Sequence, residues 1–266
     1  MSGELLAGED AATIVVNPSG VSPIFLVCEH ASRRIPLSLK SLGLPEKELG
    51  RHIAYDIGAE AVAREVAKRL DSTLVLQRYS RLVYDCNRPP DSPAAIPEVS
   101  ELTKIPGNVG LTTLERQERI EAIYRPFHGE ARRLLDRRST HGQTIFFVTI
   151  HSFTPVFKSI PRSLHVGLLF DKDRRFTDIV GPLLSEKGRF DVRYNEPYGP
   201  QDGVCHTLNV HAGVRGLPYS MIEIRNDLIE SESGQLEWAD RLAGVLQRAV
   251  QSFLRSTETA ASHTST

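Results

Sequence analysis

Three short segments, far apart in the chain, carry residue types that together can do hydrolytic chemistry: Cys28-Glu29-His30-Ala31-Ser32, Thr149-Ile150-His151-Ser152 and Met221-Ile222-Glu223-Ile224-Arg225. Each closes an apolar run, Ile24 to Val27, Thr144 to Ile150 and Tyr219 to Ile224, as a buried strand would. Strand ends in open α/β sheets are where such folds place their ligands. A catalytic zinc takes three protein ligands and keeps one position open for water. His30 and His151 are the natural nitrogen donors. Asp56 is the chosen third ligand, because it starts a helix after a loop and its carboxylate can turn inward. Glu29 is the rival, although neighbours along an extended chain point to opposite faces. Taken singly, each residue has a plainer reading: a hydrogen-bonded histidine for His30 and His151, a helix N-cap for Asp56. On the residues alone, a zinc site and a satisfied polar cleft are equally open.

Glu223 lies between two isoleucines in an apolar strand, where a carboxylate is costly unless it is paired or bound. The functional reading is a general base for the attacking water. The plainer one is an ion pair with Arg225, which shares its strand face. A fourth segment, Ser80-Arg81-Leu82-Val83-Tyr84-Asp85-Cys86-Asn87-Arg88-Pro89, adds positive charge. Arg81, Arg88 and Arg225 can grip carboxylates with their guanidinium forks, and Asn87 can add a hydrogen bond. Asp85 can instead neutralise these arginines. A phosphate-cradling glycine loop and a G-x-S-x-G elbow are both missing from the sequence. Ser152 points away from His151, and the cysteines lack an activating context, so water is the expected nucleophile. Among the other histidines, His52 and His141 read as exposed, His128 as facing the cleft from a helix, and His165, His206 and His211 as solvated or packing residues.

These segments need a frame. The chain has 266 residues, with 40% hydrophobic and 24% charged residues, an ordinary globular balance. A formal net charge of −1 offers no global attraction to nucleic acid or to an anionic membrane. No apolar stretch reaches the length of a membrane span. Three scattered cysteines argue against a disulfide framework and for a reducing, cytoplasmic setting.

Strands are expected at Ile24–Cys28, Thr73–Leu76, Leu82–Tyr84, Thr144–Ile150, His165–Phe170, Val192–Asn195 and Ser220–Ile224. Helices are expected from about Asp56 to Leu70, Leu114 to Leu135 with a kink or break at Pro126, Phe176 to Lys187, and Gln235 to Leu254. The alternation predicts an α/β fold: a single domain with a mostly parallel or mixed sheet flanked by helices. Its bounds are residues 21–254, after an N-terminal arm (1–20) and before a Ser/Thr-rich tail (255–266) expected to be disordered. Residues 89–110 hold five prolines and two glycines, and so long a connection is expected to border the site.

Val27-Cys28-Glu29-His30-Ala31-Ser32 with Ile35-Pro36, Tyr55-Asp56-Ile57-Gly58-Ala59, the Ser80–Pro89 segment, Ile105-Pro106-Gly107-Asn108, Tyr124-Arg125-Pro126-Phe127-His128, His151-Ser152 and Ile222-Glu223-Ile224-Arg225 occur in order. Together they resemble the N-formylglutamate amidohydrolase family, from roughly residue 20 to 250. The resemblance implies a phosphorylase/hydrolase-like α/β fold related to zinc exopeptidases and aspartoacylase-like hydrolases. It implies one zinc, or another divalent ion, per chain and hydrolysis of a small N-acyl amino acid. The parent substrate is N-formyl-L-glutamate, in a late step of one route of histidine degradation. Carried over, His30, Asp56 and His151 would be metal ligands and Glu223 the general base. Asn87-Arg88 resembles the pair that holds the substrate carboxylate in aspartoacylase-like enzymes, with Arg81 and Arg225 completing the anion pocket. Two positions depart from the pattern: Glu29 stands where the parent deformylases often carry Pro, and Ile150 where many members carry Asp. A metal-free carboxylate-binding protein and a hydrolase of peptide or cell-wall fragments are the competing functions.

Overall fold

The computed structural model describes residues 5–140 and 144–264. In chain order the strands are β1 (Thr13–Val16), β2 (Ile24–Cys28), β3 (Thr73–Gln77), β4 (Val99–Ser100), β5 (Thr103–Lys104), β6 (Phe146–Phe153), β7 (Val156–Phe157), β8 (Ile160–Pro161), β9 (Val166–Leu169), β10 (Val192–Tyr194) and β11 (Tyr219–Arg225). The α-helices are α1 (Glu46–Leu49), α2 (Ala59–Leu70), α3 (Thr113–Arg119), α4 (Arg125–Ser139), α5 (Thr177–Ser185) and α6 (Glu232–Thr264). Seven strands form one sheet in the order β1-β3-β2-β6-β11-β9-β10. The central four, β3, β2, β6 and β11, run parallel; β1 meets β3 and β9 meets β11 antiparallel, and β10 pairs with β9 in parallel. The protein is therefore a single mixed α/β domain with a mostly parallel sheet. The two remaining strand pairs, β4–β5 and β7–β8, are small hairpins.

The period-two pattern sorts side chains onto two buried faces. One face packs Ile24, Leu26, Leu74, Phe146, Val148, Ile150 and Ile222 against α2, α5 and α6. The other packs Phe25, Val27, Val75, Phe147, Tyr219 and Met221 against α4 and the 204–212 segment. Covered on both faces, β2, β3 and β6 are buried throughout, which explains their nearly continuous apolar sequence. Because the central strands are parallel, Cys28, Phe153 and Arg225 all end at one edge of the sheet, and the polar residues of the three segments gather there.

Several expectations are corrected. Leu82–Tyr84 is buried but forms a turn, not a strand: the amides of Val83 and Tyr84 donate to the Ser80 carbonyl, and the Ser80 hydroxyl accepts from Leu82. Three apolar residues secure burial without securing a ladder. Of the kink or break expected at Pro126, the chain shows no break: α3 and α4 join through a π-turn at Ile120–Tyr124, which absorbs the missing proline N–H. The N-terminal arm adds the edge strand β1. Helix α6 runs to Thr264 rather than stopping at Leu254 before a disordered tail, and residues 254–264 contain neither Gly nor Pro to stop it. His128 and His211 are buried, their rings 2.8 Å apart through Nδ1 and Nε2, with the Cys86 carbonyl on the other His128 nitrogen. They serve packing, not the cleft. His141 lies outside the described residues.

Helix α2 begins after Gly58, whose φ of +79° lies in the left-handed region. A Cβ there would stand 2.1 Å from the Ile229 carbonyl oxygen. Gly110 also has positive φ, +69°, but nothing within 4 Å of an added Cβ. Gly58→Ala is expected to cost about 3 kcal/mol or more, and Gly110→Ala about 1 kcal/mol, by urea unfolding. Equal small losses would show that the Ile229 contact is not rigid.

Candidate metal centre

Four elements converge at the sheet edge. His30 leaves the end of β2, and its carbonyl accepts from the Asp56 amide at 2.9 Å, which fixes the turn before α2. His151 lies in β6 directly beside Glu223 in β11 in the parallel register, so both point to one face. His30, Asp56, His151 and Glu223 are all buried.

His30 Nδ1, His151 Nδ1 and Asp56 Oδ2 form a triangle with edges of 3.2 Å (His–His), 2.9 Å (His151–Asp56) and 3.3 Å (His30–Asp56). Ligands about 2.0–2.1 Å from a tetrahedral zinc stand about 3.3 Å apart, so the triangle has the right size. Behind each ring stands a second carboxylate: Asp85 Oδ1 lies 2.8 Å from His30 Nε2, and Glu29 Oε2 lies 3.0 Å from His151 Nε2. A carboxylate only accepts, so His30 Nε2 donates to Asp85 and leaves Nδ1 free to offer its lone pair, whereas Glu29 approaches His151 Nε2 as a charge partner without hydrogen-bond geometry. Glu29 thus sits across the His151 ring from Asp56 and lies outside the triangle. Asp56 is no N-cap: α2 starts without a side-chain cap, while Asp56 Oδ2 accepts from the Ser152 amide at 3.2 Å.

The charge balance supports a cation. Glu29, Asp56, Asp85 and Glu223 bring four buried carboxyl groups, and Arg81 brings one guanidinium, 2.7 Å from Asp85 and 3.5 Å from Asp56. Burial opposes every charge here, yet the histidines hold the Asp56 carboxyl well below its usual range and Glu29 at about 2. Asp85 is also held far down, against burial, by Arg81 and His30. Burial pushes both histidines down, and the surrounding carboxylates outweigh it to raise them. Burial, with Asp56 adding to it, lifts Glu223 to about 7, and its Oε2 has no hydrogen-bond partner. The donor set and its charge fit one divalent ion.

These residues open onto a cavity of about 620 Å³, lined also by Arg81, Asn87, Arg88, Arg162 and Tyr198. The 89–110 segment borders it through Ala94, Pro97 and the β4–β5 hairpin. His52, expected to be exposed, lines it too, 3.5 Å from Glu101. Asn87 is occupied: its side chain donates to the Val204 carbonyl and accepts from the Thr207 amide. Arg88 donates to the carbonyls of Asn87 and Gly203. Arg225 is the misplaced residue. Its guanidinium pairs with Asp227 at 2.8 Å and binds the carbonyls of Arg162, Ser163 and Leu164, away from both Glu223 and the cavity lining. Sequence reasoning missed Arg162 altogether, and took Asp85 only as a charge neutraliser.

The sequence matches the N-formylglutamate amidohydrolase family over residues 22–230. The chain belongs to that family and is a hydrolase. Among solved structures, gene product Atu2144 from Agrobacterium tumefaciens is 46% identical, with 91% of this chain and 96% of that one aligned and a TM-score of 0.89. An N-formylglutamate amidohydrolase from Ralstonia eutropha JMP134 shares the fold at 20% identity, with 93% and 100% aligned and a TM-score of 0.69. No curated protein matches significantly.

Metal analysis of the purified protein after zinc loading is expected to find about one ion per chain. His30→Ala, Asp56→Ala and His151→Ala are expected to lose it. Asp85→Asn is expected to weaken zinc about 10- to 100-fold in a chelator competition. Full occupancy in all three ligand variants would remove the site.

Proposed function

We propose that this member of the N-formylglutamate amidohydrolase family is a zinc-dependent amidohydrolase that cleaves the N-acyl amide of a small acidic amino acid, with N-formyl-L-glutamate the leading substrate. The observation that carries this is Glu223, a carboxyl group with a free oxygen, lining one cavity with a compact His30–Asp56–His151 triangle. Zinc bound there would polarise the acyl carbonyl and bring the pKa of water towards neutrality.

The rest is done by the chain. Glu223 accepts a proton from the attacking water as the water oxygen bonds to the acyl carbon. It passes that proton to the amide nitrogen as the C–N bond breaks, giving formate and glutamate from the parent substrate. A carboxyl group lifted to about 7 can both take and return a proton near neutrality. Arg81 and His30 keep Asp85 ionised, and the two histidines keep Asp56 ionised, so these carboxylates can serve as support and ligand. Arg88, with only carbonyl partners, is a guanidinium available to a substrate carboxylate.

The cavity rim favours a small substrate over a polymer. Glu101 at the β4–β5 tip accepts from the Lys158 amide at the β7–β8 tip (3.1 Å), and Arg51 also binds its carboxylate. The two hairpins are thereby tied together at the cavity. No helix among the described residues is long and apolar enough to cross a membrane. The three cysteines are all free and buried, which supports a cytoplasmic setting.

Glu223→Gln is expected to lower kcat on N-formylglutamate about 10²- to 10⁴-fold while retaining zinc. Unchanged turnover would eliminate the general-base role. Arg88→Ala is expected to raise KM for acidic N-formyl amino acids about 10-fold or more and to leave neutral ones nearly unaffected; a uniform change across substrates would count against Arg88 as the carboxylate clamp.

A further inference from the structure

Arg162 follows the β7–β8 hairpin and lines the cavity. Its guanidinium lies over the rings of Phe157 (4.6 Å) and Tyr198 (4.8 Å), with Phe153 at 5.8 Å. One N–H, on Nη1, donates to the Tyr198 hydroxyl at 2.9 Å. A guanidinium has five N–H donors. Among the described residues no carboxylate pairs with it. Arg81, by contrast, is held by two acids.

The cradle explains why an unpaired cation is tolerated and what it is for. Aromatic faces stabilise the flat side of the ion without using its N–H groups. The edge of the fork stays free, and its direction is fixed by the rings. The backbone beneath is also fixed: the Arg162 amide donates to the Pro155 carbonyl, and Arg225 binds the carbonyls of residues 162–164. A rigid, planar, unneutralised fork facing a cavity matches a carboxylate.

We propose that Arg162, held in the Phe157–Tyr198 cradle, is a specificity-determining carboxylate seat, and that together with Arg88 it selects a dianionic ligand bearing two carboxylates. The two arginines come from separate segments, and neither has an acid partner among the described residues, so the cavity offers one fork for each carboxylate. That Arg162 selects a substrate rests on the amidohydrolase reading; that it seats a carboxylate does not.

The test is calorimetric titration of the zinc-loaded protein with succinate, glutarate and adipate, each beside its monoamide. The wild type is expected to prefer at least one diacid over its monoamide by about 10- to 100-fold. Arg162→Gln is expected to bring the two to equal affinity. Arg162→Lys, which keeps the charge but not the fork, is expected to lose about tenfold of the preference and serves if the Gln variant does not fold. No preference in the wild type, preference intact in a folded Arg162 variant, or equal weakening of diacid and monoamide would overturn the proposal. If the wild type hydrolyses no N-acyl amino acid, the amidohydrolase reading fails, while the diacid titration still decides the role of Arg162.

Discussion

The organising constraint of this molecule is an excess of buried negative charge at one edge of a parallel sheet. Four carboxyl groups, from Glu29, Asp56, Asp85 and Glu223, are gathered there against a single guanidinium. Such a cluster is unfavourable in a dry interior unless protons, cations or dense hydrogen bonding offset it. In the chain itself the offset comes from two histidines whose rings have a carboxylate on each side. That arrangement is frustrated, because both Nδ1 atoms and Asp56 Oδ2 crowd one point within about 3.3 Å. A divalent ion held by His30, Asp56 and His151 would relieve it, taking the place of the protons shared between Nδ1 and Asp56 while Asp85 keeps the His30 Nε2 proton. The fold supplies the rest, since parallel strands place His30, His151 and Glu223 at equivalent ends.

The same logic shows which parts were legible in the sequence. His30, His151 and Glu223 each interrupt or end an apolar strand, and a polar residue there must have a reason. Asp56 was harder, because an acid just before a helix reads first as a cap. What separates the two roles is Gly58, whose left-handed backbone turns the chain into α2 and leaves Asp56 aimed at the histidines. Arg225 misled because i and i+2 share a face in a strand. That argument holds only inside the strand, and after Arg225 the chain turns at once through Asn226–Leu228, where Asp227 captures the guanidinium. Arg162 carried no signal, since its value depends on rings brought in from other segments.

The loops are built as firmly as the strands. Arg119 is fully buried without a carboxylate among its hydrogen-bond partners. Its guanidinium donates to the Val83 and Gly107 carbonyls and to Asn108 Oδ1. Asn108 in turn donates to the carbonyls of Leu82 and Pro97. This clasp joins the Arg81–Asn87 segment, which supports the metal site, to the proline-rich segment that walls the cavity. The long connection between β3 and α3 is therefore a fixed wall, and its prolines lower the cost of keeping it so.

Chemistry and recognition meet on one strand. Strand β11 carries Glu223 at the metal centre and, two residues on, Arg225, which grips the backbone of residues 162–164. A displacement of that strand would move Glu223 and the backbone under Arg162 together. Hydrolysis needs the acyl carbon placed to within a fraction of an ångström of the attacking water, while a carboxylate several bonds away supplies the binding energy. Fixing both ends to the same strand keeps the span between them constant. On this view Arg225 would serve the proposed carboxylate seat without lining the cavity: it would set the distance at which Arg162 could read a second carboxylate.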